Sequence, residues 1–204
     1  MLRSGKSFKY SDKKNRRVSD SDSEMECEYI KRIDNNIYFY SDVNNKSALT
    51  LINIIKKLEL ELLTINIQYN GIDIPIYLHI NSEGGELDAA ISIIETIRNS
   101  KINFISIVEG VACSAATLIS VVCDRRIIGK YSQMMIHQLS CGFDGKMNEI
   151  EDEVRNLRLT MNIMKDIYNT YTKIKERDMD TLLKTDKYWD AKKCKKYGLV
   201  DEIQ

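Results

Sequence analysis

From residue 36 to residue 138 the hydrophobic pattern switches repeatedly between two periods. This alternation restricts the fold more than any other feature of the chain. "NIYFY" (36–40) reads as a short strand. "SALTLINIIKKLELELL" (47–63) carries apolar residues at helical spacing. "IPIYLHI" (74–80) alternates, with Ile74, Ile76, Leu78 and Ile80 on one face. "ELDAAISIIETIRNS" (86–100) places Leu87, Ile91, Ile94 and Ile97 on one helical stripe. "INFISIVEG" (102–110) is a strand, "SAATLISVVC" (114–123) a buried helix and "QMMIHQ" (133–138) a strand. Strands that alternate with helices form a mainly parallel sheet with right-handed crossovers, which sets the class as α/β. The length of 204 residues suits one domain.

The flanks differ. Residues 1–28 are polar, basic in the first part and Ser/Asp/Glu-rich in the second. Such a segment buries too little surface to offset its ordering entropy, so it is expected to be disordered, with the folded domain at 29–204. From Met147 to about Arg177, apolar residues recur at three- and four-residue steps: Met147, Ile150, Val154, Leu157, Met161, Met164, Tyr168 and Tyr171. One amphipathic helix of that length projects from a small domain unless a partner covers its stripe, and the pattern predicts an oligomer. The other reading is two shorter helices packed on their own domain. The tail "WDAKKCKKYGLVDEI" reads as a short helix stopped by Gly198, then a strand.

Charge and cysteines limit the function. Lys plus Arg equals Asp plus Glu at 30 each, so no net field draws nucleic acid or an anionic membrane. No apolar run reaches the roughly 18–20 residues that span a bilayer. Cys27, Cys113, Cys123, Cys141 and Cys194 are an odd, scattered set without a CxxC pair. They read as reduced thiols of a reducing compartment, cytoplasm or organelle matrix, and not as a zinc site. The sequence implies no metal and no cofactor.

Three stretches carry candidate chemistry. Ser114, in "EGVACSAATLIS" (109–120), follows a strand and opens a helix; it is either filler in a crowded turn or a nucleophile. A serine nucleophile needs a base, and the chain offers His79 and His137. His79 sits mid-strand and reads as a strand-surface or interface residue. His137 ends its strand before the loop "LSCGFDG", the position where α/β sheets gather ligands and catalysis. "NSEGGE" (81–86), between strand and helix, is either an ordinary tight turn or a backbone that aims N–H groups at an anion.

"INSEGGELDAAISIIETIRNS", "GVACSAATLIS", "MMIHQ" and "TDKYWDAKKCKKYGLVDEI" together resemble the proteolytic subunit of the Clp ATP-dependent protease, over roughly residues 30–203 and in the same order. The resemblance implies a crotonase-like spiral of βαβ units with a long protruding handle helix at 147–177. It implies Ser114 as nucleophile, His137 as general base and Asp186 as the residue that orients it. It also implies the Gly85 and Ala115 amides as the oxyanion hole. It further implies a self-assembly of two stacked seven-membered rings, fed with unfolded polypeptide by an AAA+ Clp ATPase.

This chain departs from the family pattern in four places, one of them a slightly shorter segment between Ser114 and His137. Glu83 stands where the family has proline, and the usual Ser-Met-Gly at the nucleophile is Ser-Ala-Ala. The N-terminal region that docks the ATPase is replaced by a dissimilar polar stretch. The alternatives are a catalytically silent ring subunit, an ATPase-independent viral or organellar maturation protease, and an acyl-CoA-handling crotonase relative without a triad. Cys113 is either a competing nucleophile or a small buried thiol.

Overall fold

A computed structural model describes residues 29–204, and the expectation for 1–28 lies outside the described residues. The chain enters as a hairpin, β1 (Ile30–Ile33) antiparallel to β2 (Asn36–Phe39), turned at Asp34, whose φ is +52°. Helix α1 (Asn45–Gln68) starts two residues before the apolar run because Asn44 caps it. The Asn44 side chain accepts from the amides of Lys46 (3.0 Å) and Ser47 (2.9 Å), and the Ser47 hydroxyl accepts from the Asn44 amide. Strand β3 (Ile76–Ser82) follows, then α2 (Leu87–Arg98), β4 (Phe104–Cys113), α3 (Ala115–Val121), β5 (Arg125–Ile128) and β6 (Gln133–Met135). After a loop come α4 (Met147–Tyr171), α5 (Glu176–Leu183), β7 (Tyr188–Asp190), α6 (Ala191–Tyr197) and β8 (Glu202–Ile203).

The described strands form one eight-stranded sheet in the order β1-β2-β3-β4-β5-β8, parallel from β2 onward, with β6 on β4 and β7 on β6. The expected parallel α/β sheet is therefore present. Its core is aliphatic. Ile76, Leu78 and Ile80 of β3 are fully buried, with Leu51, Ile55 and Leu58 of α1 and Ala89, Ala90 and Ile93 of α2. Each buried branched aliphatic contributes about 1.5–3 kcal/mol. On α2 the buried stripe includes Ile93, while Ile91 is only half-buried, so the predicted stripe is rotated.

The long helix is a single element, as one of the two readings required, but it ends at Tyr171 and not near Arg177. Thr172 is extended (φ −125°, ψ 179°) and Ile174 leaves the helical stripe to enter the core at 5% exposure. The Arg126 guanidinium satisfies the freed carbonyls there, donating to Tyr171 O and to Gly198 O (3.1 Å) while paired with Asp201 at 2.6 Å. Gly198, at φ +71°, ends α6 in the left-handed conformation expected of it.

The apolar stripe of α4 divides in two. Met164 and Tyr168 are buried in their own domain at 4% and 0% exposure. Met147, Ile150 and Val154 are 71%, 38% and 41% exposed, and Leu157 and Met161 are half-buried. Met164 therefore belongs to the domain core and not to the uncovered stripe. Among the described residues, no helix is long and apolar enough to cross a membrane.

Candidate functional site

Strand β4 is long enough to serve two neighbours. Ile105–Val108 pair with β5 and Val111–Cys113 pair with β6. Gly110 separates the two halves at φ +82°, where a Cβ would lie 2.6 Å from Asn81 Oδ1. The same Asn81 oxygen accepts from the Val111 amide at 3.1 Å, which fixes the redirected half. That half ends at Ser114, whose amide donates to Met135 O at 2.8 Å. Ser114 has φ +52° and ψ −123°, a conformation that costs a non-glycine residue on the order of 1–3 kcal/mol. Among the described residues its hydroxyl makes no hydrogen bond, and it lines a cleft of about 1080 Å³.

His137 lies two residues beyond β6 and lines the same cleft. The antiparallel register of β6 and β7 pairs Met135 with Tyr188, so two further steps set His137 opposite Asp186. His137 Nδ1 is 3.5 Å from Asp186 Oδ1, longer than a formed hydrogen bond but within ion-pair range. Residues far apart in sequence are thus brought together just beyond the end of the β6–β7 pairing.

The turn of "NSEGGE" closes the other side. Val43 makes an isolated parallel bridge with Gly85: the Val43 amide donates to Gly84 O and the Glu86 amide to Val43 O, both at 2.7 Å. In such a bridge the Gly85 amide points away from Val43, and among the described residues it has no acceptor, nor has the Ala115 amide. Both residues line the cleft. Gly84 packs on the Ser114 turn so closely that a Cβ would lie 2.5 Å from Cys113 O and 2.9 Å from Ser114 Cβ. All five sequence-predicted site residues therefore converge, with Asp186 reaching the cleft through His137.

His79 lies elsewhere. Its ring stacks on Tyr38 at 4.4 Å, with Nδ1 3.0 Å from Glu109 and Nε2 3.1 Å from Asn36. At 9% exposure it is a packed residue and not a surface one. Glu83 does line the cleft and accepts from the Tyr188 hydroxyl at 3.4 Å. Burial, and then the Glu83 carboxylate, push the Cys113 thiol up to about 11, so this sulfur stays protonated and unreactive at neutral pH. The contact of Tyr188 was not legible: "KYW" carries no period that assigns it to an edge strand.

A family model described as Clp protease matches residues 23–204. The chain belongs to the Clp protease family. It is similar to the ATP-dependent Clp protease proteolytic subunit of Deinococcus radiodurans, at 28% identity over 130 residues covering 63% of this chain and 64% of that protein. It is also similar to the protein of the same name from Cyanophora paradoxa, at 30% identity over 130 residues covering 63% and 67%. The matched stretch thus spans about two thirds of each relative's length.

Proposed function

We propose that this chain is a serine-type endopeptidase subunit that cleaves unfolded polypeptide inside an oligomeric chamber. The observation that carries the reading is the convergence, in one cleft, of Ser114, His137 backed by Asp186, and two unclaimed backbone amides, Gly85 and Ala115. Ser114 Oγ attacks the peptide carbonyl and its proton passes to His137. Asp186 holds the imidazole tautomer and stabilises the imidazolium. The developing oxyanion takes the Gly85 and Ala115 amides, each worth about 2.7–4 kcal/mol in such a site. The C–N bond then breaks, His137 returns the proton to the leaving amine, and water hydrolyses the acyl-serine by the same steps in reverse roles. The 3.5 Å His137–Asp186 separation fits a free enzyme whose catalytic contacts tighten on substrate.

The exposed half of the α4 stripe supports burial against a second copy of the chain, in keeping with stacked rings. The names of the relatives support an ATP-dependent unfoldase as the feeder. A catalytically silent ring subunit is the second reading, favoured by the Glu83 carboxylate within the cleft. Hydrolysis of a fluorogenic peptide that disappears in Ser114→Ala supports the peptidase. A wild type without turnover, in an intact assembly, selects the silent subunit.

A further inference from the structure

On that peptidase reading, we infer that Tyr168 and Thr117 form a hydroxyl relay from α4 that aims the Ala115 oxyanion amide. Thr117 Oγ1 lies 2.6 Å from Ser114 O, and the Tyr168 hydroxyl lies 2.5 Å from Thr117 Oγ1. A carbonyl only accepts, so Thr117 spends its one proton on Ser114 O. The Tyr168 hydroxyl must then donate to Thr117. The direction of the relay is fixed: Tyr168 O–H to Thr117 O–H to the Ser114 carbonyl. Both hydroxyl residues are fully buried, and burial raises the Tyr168 pKa, which keeps it a donor at any physiological pH.

The end of the relay matters because the Ser114 carbonyl and the Ala115 N–H belong to one planar, trans peptide unit. Fixing the carbonyl fixes the amide on its other side. The carbonyl also accepts from the Thr117 amide at 2.9 Å. Two bonds at the oxygen polarise the peptide and make its N–H a stronger donor. They also hold a turn whose φ of +52° would otherwise relax. Tyr168 and Thr117 are positioning residues that act through the Ser114 carbonyl: Thr117 sits in α3, one turn past Ser114, and Tyr168 belongs to α4, the helix whose other half is uncovered. The order of α4 and the aim of the oxyanion donor are therefore linked by two hydrogen bonds.

The test uses the assembled protein with Tyr168→Phe, Thr117→Val and Thr117→Ser. Turnover of a fluorogenic peptide is measured together with affinity for a peptide boronate, whose tetrahedral adduct places an oxygen at the oxyanion position. Tyr168→Phe and Thr117→Val should lower kcat and boronate affinity by about tenfold or more, less than loss of a whole donor, with KM unchanged. Thr117→Ser, which keeps the hydroxyl, should restore both. Unchanged kcat and boronate affinity in both variants, or a rise in KM alone, overturns the relay. A wild type that neither turns over peptide nor binds boronate overturns the peptidase reading instead. The relay is then judged by hydrogen exchange of the 111–118 segment: faster exchange in Tyr168→Phe supports it, and unchanged exchange overturns it.

Discussion

Gly84→Ala isolates how tightly the glycine turn is built against the Ser114 turn. Gly84 has φ +93°, where an L-residue costs about 1–2 kcal/mol. The added Cβ would meet Cys113 O at 2.5 Å and Ser114 Cβ at 2.9 Å, against a close C···O approach of about 3.3 Å or more. Relieving that overlap costs a further 1–3 kcal/mol or so, as overpacking does. The expected loss of stability is about 2–5 kcal/mol. The cheapest relief is to move the Ser114–Ala115 peptide, and a displacement near 1 Å costs on the order of 10²-fold in rate. Gly71 is the control, with nearly the same φ of +92° and no atom within 4 Å of its Cβ. Gly71→Ala should show the strain alone, about 1–2 kcal/mol, with peptidase rate intact. Urea unfolding and peptide turnover on both variants decide the matter. Equal stability losses at the two positions, with activity retained in Gly84→Ala, would refute the packing argument.

Other consequences are as direct. Leu157→Glu puts an unpaired charge on the stripe assigned to a second copy, at a cost of several kcal/mol if that contact forms, and should shift sedimentation velocity to smaller species; a variant that sediments with the wild type refutes burial of that residue between copies. His137→Ala should reduce turnover by a factor of about 10³ or more, while His79→Gln, outside the cleft, should leave it nearly intact; equal losses would reject the choice of base. Cys113, buried and raised to about 11, should resist iodoacetamide at pH 8 while exposed Cys141 is alkylated, as peptide mass spectrometry of the folded protein will show; prompt alkylation of Cys113 refutes its inertness. Burial would raise Asp201, but its bonds to Arg126 outweigh this and lower its pKa, so its stabilisation is full above the ordinary aspartate value of about 3.9 and is lost as pH falls through the lower folded value. Arg126→Met should therefore flatten the acid side of a pH–Tm curve, and an unchanged acid limb refutes the coupling.

From β2 to β6 the order was legible where a buried element carries its own period, and Gly198 announced the end of α6, but β5, four residues with one fully buried, shows no period and was not. Ser114 and His137 were legible as ends of strands. Their partnership was not, because it depends on pairing between short segments that have no period of their own. "YWD" forms a three-residue strand, and its antiparallel pairing with β6 carries the segment before it past the His137 loop, where Asp186 meets His137. The hairpin at Asp34 was missed for the same reason: "IKRI" buries one residue in four and shows no alternation to read. The long helix was overrun past Tyr171 because Ile174 keeps helical spacing on paper while the extended Thr172 redirects it into the core. Whether α4's stripe faced its own domain or solvent depended on where the helix leaves the body, which spacing does not encode.

On the peptidase reading Ser114 is an activated nucleophile. A fluorophosphonate probe incubated with the purified, assembled protein, followed by mass spectrometry of the adduct, addresses this directly. A single adduct on Ser114 is expected, absent in Ser114→Ala and strongly slowed in His137→Ala. An adduct on Cys113 or another serine, or none at all on an intact assembly, contradicts that reading.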